Sequence, residues 1–315
     1  MPKKTRRHVK NNLKCGPYTM KHGQVAKDTC LTPDLMLKVR DAYNKAHPEV
    51  NRRIESNSPQ QIWRILKTRV QFCNNEGEEE CWMSTIKDAA LKRDIQKYIY
   101  APHAPKEWKK NPNEWLTNFD ILNVMQQYEY TYPTFKFFGP SPIDFDARPD
   151  KSQCVTSDIC NFHLEEQLKS GKKQFGFVFN LDEHDEPGSH WVSMFVDVPN
   201  KFIYFFDSAS LNIPKEVDVL VDRIVKQGAE LGVEFQRMQN KVEHQFGNTE
   251  CGIYSLFFII TMLTGKIHKT VGGKLKNVSM EDRLRLFTNK KIPDHMMTRY
   301  RKIYYNGGSN KKRSR

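Results

Sequence analysis

The chain has 315 residues, with 50 Lys and Arg against 37 Asp and Glu, seven cysteines and a net charge of +13. That length supports one large domain or two modest ones with real cores, and no apolar run approaches the ~20 residues a membrane-spanning helix needs. Six cationic side chains and no acid fall in residues 1–14, and four cations and no acid in 306–315, so the body of the chain is only mildly basic; the tails are expected to be solvated and suited to nucleic acid or another polyanion.

No apolar stretch follows Met1, so a secretory leader is not expected. The odd, scattered cysteines are expected to be free thiols in a reducing compartment. Thr32-Pro33 opens a helix to about Ala46, with Leu35, Val39 and Ala42 on one face, and Ser58-Pro59 opens another through Phe72, carrying Ile62, Leu66 and Val70. The acidic run Glu76–Glu80 reads as loop. A third helix passes through Ala89, Ile95 and Ile99 and stops before Pro102. The proline-rich stretch 101–112 then marks a boundary. It divides the chain into a basic tail (1–14), a helical arm (15–105), a second domain (106–305) and a basic tail (306–315).

The second domain begins with Thr117-x-x-Asp120, the form of a capping box, ahead of Ile121, Leu122, Val124 and Met125. Phe135–Phe138 reads as a short strand and 139–150 as Pro- and Asp-rich loop. Phe175–Leu181, His190–Val198 and Phe202–Ser208 are strands with apolar residues at both parities, so both of their faces should be covered. A helix over Lys215–Leu231, a strand over Val233–Met238, a helix over Cys251–Thr264 ended by Gly265, and helices around Met280–Phe287 and Asp294–Tyr304 complete an α+β domain. The helix from Cys251 is apolar on nearly every side and belongs in the centre of the core.

That helix starts on a cysteine. A thiol is a good nucleophile as thiolate, which a helix N-terminus and a nearby imidazolium both favour. Gly247-Asn248 suits a tight turn before Cys251, and Gly252 removes a Cβ beside it. For a base, the short connection at Pro199-Asn200 sets Val198 against Lys201. That register puts Asp207 opposite Val192, two residues from His190 on the same side, a diagonal pair ~7–8 Å apart by backbone. Gln245, six residues before Cys251, can join the Cys251 backbone N–H in stabilising an oxyanion. His244 is a rival base with no acid partner placed by register. The set Cys154-x5-Cys160-x2-His163 is a weak zinc candidate with a loose spacing and no fourth ligand, so no metal or cofactor is expected.

The sequence "GSHW … FFDS … HQFGNTECGIY" resembles the signature of the adenain-like and SUMO-protease-like (C48-type) cysteine peptidases over roughly residues 115–265. The resemblance implies a papain-like core with a central mixed sheet and a buried helix carrying the nucleophile. It implies His190 as base, Asp207 as orienter, Gln245 as oxyanion donor and Cys251 as nucleophile, with Trp191 beside the substrate channel. In "EWLTNFDILNVM", Trp115 and Leu116 match the Trp-Leu-Asn-Asp that the family's deconjugating members carry at the start of the domain, implying substrate-binding positions, while Asn118 replaces the aspartate that helps hold a ubiquitin-like tail. The overall pattern is closer to the maturation proteases of large DNA viruses, which carry a helical arm and are implied to cut structural polyproteins after Gly-Gly, in the virion or host cytoplasm. The alternatives are a deconjugase of ubiquitin-like modifiers and an inactive nucleic-acid-associated virion protein. Gly307-Gly308-Ser309 is a candidate self-site.

Overall fold

A computed structural model of the chain describes residues 14–69, 86–149, 153–268 and 275–307. Two compact units divide it, Met1–His103 and Ala104–Arg315.

The first unit carries α1 (Pro17–His22), α2 (Pro33–Ala46), α3 (Pro59–Arg69) and α4 (Ala89–Tyr98). A proline opens α1 and α2, where its missing N–H has no intrahelical partner to lose. Asp88 caps α4 by accepting from the Leu91 N–H. Leu35, Met36, Val39, Ile62, Trp63, Leu66, Ile95 and Ile99 form its core. The expected continuation of α3 to Phe72 and the acidic run 76–80 lie outside the described residues, as do residues 1–13 and 308–315 of the two tails and most of the Gly307-Gly308-Ser309 motif. One expectation fails here. Cys15 and Cys30 are joined in a disulfide, their Cα atoms 5.1 Å apart, a distance no sequence spacing reveals.

The second unit runs α5 (Asn118–Thr131), β1 (Phe135–Pro142), α6 (Ser157–Cys160), α7 (Leu164–Lys169), β2 (Gln174–Asn180), β3 (Trp191–Asp197), β4 (Phe202–Phe206), α8 (Lys215–Glu230), β5 (Gln236–Gln239), α9 (Cys251–Thr264), β6 (Lys266–His268), β7 (Leu275–Asn277), α10 (Met280–Asn289) and α11 (Asp294–Tyr304). Strands β1 to β5 form one sheet in chain order. Its outer pairs, β1–β2 and β4–β5, are parallel, and its inner pairs are antiparallel, so the sheet is mixed. Both faces are covered. Phe195, Phe202, Tyr204 and Phe206 join the cluster built on α9, whereas Met194, Val196, Ile203 and Phe205 join the one built on α8.

Helix α9 is buried from Cys251 through Leu263 and ends on Gly265, whose φ of 63° suits a residue without Cβ. Gly176 of β2 opens space for it: a Cβ there would stand 2.9 Å from Ile259 Cγ2 and 3.0 Å from Phe135 Cζ. The capping box is present, with Thr117 accepting from the Asp120 N–H and Asp120 from the Thr117 N–H.

Two further expectations are corrected. β1 does not give way to loop at 139; it continues to Pro142, with its pairing to β2 shifting between Phe138 and Ser141 as at a bulge. Cys154 and Cys160 form a disulfide, their Cα atoms 6.3 Å apart, which removes two of the three candidate zinc ligands. Cys251 is the free cysteine among the described residues. Among those residues no helix is long and apolar enough to cross a membrane.

Candidate active site

Cys251 is the first residue of α9 and is buried. The opening N–H groups of a helix lack intrahelical acceptors and carry its positive end, so sulfur and backbone N–H occupy a site that favours negative charge. His190 stands just before β3, and Asp207 just after β4. The strands pair with Ser193 opposite Phe206 and Asp197 opposite Phe202, the register set by the short connection. It brings His190 Nε2 to 2.6 Å from Asp207 Oδ1, leaving Nδ1 as the other ring nitrogen. Burial works against a charged His190, but the hydrogen bond to Asp207, the hydrogen bond and charge of Cys251, and the charge of Asp207 prevail and raise its pKa to about 10. Geometry and charge together describe a protonated imidazole held between Asp207 and the Cys251 sulfur.

Asp207 is 1% exposed and its acceptors are used. Oδ1 also receives the Ala209 N–H at 2.9 Å, and Oδ2 receives the Leu211 N–H at 3.0 Å. Asn240 grips its backbone from both sides, accepting from the Asp207 N–H at 3.1 Å and donating to the Asp207 carbonyl at 2.7 Å.

Gln245 is buried in the loop before α9. Ser208 Oγ donates to Gln245 Oε1 at 2.8 Å, and Gln245 Nε2 donates to Gly247 O at 2.7 Å. The Gly247 carbonyl, which can only accept, therefore settles which end of the amide is NH₂ and leaves the oxygen to the hydroxyl. His244 beside it cannot serve as base. Its Nε2 donates to Phe287 O at 3.2 Å and its Nδ1 accepts from the Ile292 N–H at 3.2 Å. Burial first, with Lys291 adding to it, pushes its pKa down to about 4. The loop is further held by Asp294, whose Oδ2 accepts from the Phe246 and Gly247 N–H groups at 3.1 and 2.9 Å and whose Oδ1 accepts from Tyr254 Oη at 2.8 Å.

A cleft of about 710 Å³ leads to this point, lined by Trp115, Leu116, Asn118, Pro140, Pro142 and Trp191 together with Glu107, Glu114, Asp120, Asp182, Glu183 and Glu186. Trp191 Nε1 donates to Leu116 O at 3.0 Å, fixing the two walls to each other. They close down over Gly252: a Cβ there would lie 3.1 Å from Leu116 Cβ and 3.3 Å from Trp191 Cδ1. Trp115 is half-buried and Asn118 exposed at the head of α5. Cys251 and His190 do not line the cleft, which approaches them from the Trp191 side. Among the described residues, no group of three or more His, Cys, Asp or Glu has the arrangement of a metal site.

Sequence reasoning placed Cys251, His190, Asp207, Gln245, Trp191, Trp115 and Asn118 in this region and missed Ser208, Asn240 and Asp294. Ser208 had a signal, since it directly follows Asp207. The others act across long stretches of chain.

The fold and this constellation define a cysteine peptidase of the papain-like kind. The profile of the Ulp1 protease family, C-terminal catalytic domain (Peptidase C48), matches residues 177–299. A putative thiol protease of Acanthamoeba polyphaga mimivirus is 27% identical over 267 residues, which cover 80% of this chain and 85% of the relative. A cysteine protease of African swine fever virus is 30% identical over 203 residues, 61% of this chain and 68% of the relative. The crystal structure of an African swine fever virus protease has the same fold, with a TM-score of 0.58 at 21% identity over 95% of this chain and 98% of that one. The chain belongs to the Ulp1 (C48) family of cysteine proteases, and these relatives are viral proteins.

Proposed function

We propose that this protease cuts viral structural polyproteins after Gly-Gly motifs during virion maturation. Cys251 is the nucleophile, His190 its base, Asp207 the group that orients and charges His190, and Gln245 with the Cys251 N–H the oxyanion donors. The thiolate attacks the scissile carbonyl, and the two donors receive the developing charge. His190 passes its proton to the leaving amine, and water then hydrolyses the thioester. The observation that carries this reading is the 2.6 Å His190–Asp207 bond with the free Cys251 thiol against the same ring.

The close approach of Leu116 and Trp191 over Gly252 favours a substrate without side chains next to the scissile bond, and the carboxylates along the cleft favour basic residues further upstream. In this reading residues 15–105 serve as an arm to the catalytic domain 106–305. The tails 1–14 and 306–315 hold the enzyme on encapsidated nucleic acid, in the virion or in the host cytoplasm where virions form. A relative from another African swine fever virus isolate bears the name of a SUMO-1 cysteine protease, so the competing substrate class is a modifier conjugate.

The experiment is cleavage-site profiling with a peptide library beside full-length modifier conjugates, with Cys251→Ala as control. Cleavage after Gly-Gly in peptides, absent in Cys251→Ala, supports the proposal. Turnover confined to intact conjugates favours the deconjugase, and equal turnover by Cys251→Ala removes Cys251 from the mechanism. Intact-mass measurement during incubation tests cutting between Gly308 and Ser309.

A further inference from the structure

Arg301 lies near the end of α11, past the last residue matched by the family profile. It is buried, 2% exposed, and its three nitrogens serve three different acceptors. Nε donates to Glu250 Oε2 at 2.8 Å, one terminal nitrogen to Glu114 O at 2.6 Å and the other to Thr249 O at 2.6 Å. The guanidinium carbon stands 4.8 Å from the Trp108 ring centroid. Thr249 and Glu250 are the two residues before Cys251. Glu114 directly precedes Trp115 and Leu116 of the cleft wall. A single side chain therefore ties the nucleophile's approach loop to the Glu114–Leu116 wall of the cleft.

We infer that Arg301 is a positioning residue with two separable tasks: it neutralises Glu250 beside the nucleophile, and it holds the Glu114–Leu116 wall at its working distance. The inference rests on Cys251 being the nucleophile.

The first task follows from charge. Glu250 is a buried carboxylate adjacent to Cys251 in sequence, and an uncompensated negative charge at that position opposes the thiolate. Charged groups on the elements packed against or leading into α9 include His190 at the head of β3, Asp207 past the end of β4, Asp294 at the start of α11 and Asp120 in the capping box of α5; His244 in the approach loop is neutral. Each of the three carboxylates other than Glu250 already accepts from named donors, and Arg301 is what offsets Glu250. The second task follows from shape. A planar fork with nitrogens on three sides reaches three acceptors at once, whereas a lysine ammonium at the end of a flexible stem does not reproduce that arrangement.

The test uses the full chain and two readouts. One is the pH dependence of Cys251 alkylation by iodoacetamide, followed on the Cys251 peptide by mass spectrometry. The other is KM and kcat on a Gly-Gly-containing peptide. In Arg301→Gln the alkylation midpoint is expected to rise by about one pH unit and KM to rise several-fold. Adding Glu250→Gln to it is expected to return the midpoint to the parent value while KM stays high. Arg301→Lys is expected to keep the parent midpoint and still raise KM; if Arg301→Gln does not fold, it carries the positioning test, and Glu250→Gln alone, which leaves the Arg301 cation uncompensated and is expected to lower the midpoint, carries the electrostatic one. A midpoint that moves as far in the double variant as in Arg301→Gln overturns the electrostatic task, and an unchanged KM in Arg301→Lys overturns the positioning task. If parent Cys251 reacts like an ordinary thiol and His190→Ala leaves its profile unaltered, the nucleophile assignment itself fails; a normal parent profile with unresponsive variants sinks only the role of Arg301.

Discussion

Replacing Asp207 with Asn keeps the size of the side chain but removes a charge and one acceptor. The carboxylate meets three donors: His190 Nε2 and the Ala209 N–H on Oδ1, and the Leu211 N–H on Oδ2. An amide has one oxygen. If it stays with His190, the new NH₂ faces the Leu211 N–H, and a buried donor goes unpaired at about 1–3 kcal/mol. At about 2–4 °C per kcal/mol for a domain of this size, Tm should drop by several degrees.

The charge matters more for chemistry. The pKa of His190 is raised from 6.5 to about 10, against burial, by its hydrogen bonds to Asp207 and Cys251 and by their charges. A raised value means that the folded chain holds a proton which the unfolded chain gives up near pH 6.5. The associated stabilisation is complete below that pH and is lost as pH climbs through about 10. The same window keeps an acid ready for the leaving amine. The kcat/KM of the parent should therefore hold until near pH 10 and then fall. Asp207→Asn should stay measurably active, because its oxygen still accepts from Nε2, but its alkaline limb should lie about one pH unit lower or more, about 1.4 kcal/mol per pH unit. The assay is a pH profile of peptide cleavage, paired with thermal melts. An alkaline limb that does not move in Asp207→Asn refutes the assignment of Asp207 as the support of the imidazolium.

Gln245→Ala should lower kcat about 10²–10³-fold, whereas Ser208→Ala, which frees the amide to turn but leaves it in place, should lose about fivefold for about 1 kcal/mol of orientation; steady-state kinetics on one peptide compares them, and equal losses would contradict the orienting role. Gly176→Ala should destabilise the protein by about 1–3 kcal/mol, since its Cβ would press on Ile259 and Phe135; urea denaturation reads this, and a neutral result would mean that α9 shifts freely on the sheet. Removing residues 1–14 and 306–315 should weaken DNA binding and flatten its dependence on salt; an unchanged slope in a filter-binding or anisotropy titration would place the contact elsewhere.

The sequence carried some of this arrangement openly. The two-residue connection at Pro199-Asn200 fixed the β3–β4 register, and with it the meeting of His190 and Asp207. The unbroken apolar run after Cys251 marked a helix that had to be central, and Gly265 marked its end. Local patterns such as these survive because neighbours in sequence create them. Arg301 sits in "TRYRKIY", which has the look of a basic surface helix, and its partners Glu250 and Glu114 lie 51 and 187 residues away. The exclusion of His244 as a base needed the carbonyl of Phe287 and the N–H of Ile292. The Cys15–Cys30 and Cys154–Cys160 pairs depend on distances that only a folded backbone sets.

The struts of the 245–250 loop come largely from residues 287–301, translated well after the nucleophile they steady. A ribosome that has just finished Cys251 carries a chain whose approach loop still lacks the contacts from Ile292, Asp294 and Arg301. The loop before Cys251 is thus fully anchored only once some fifty further residues have been added and have docked.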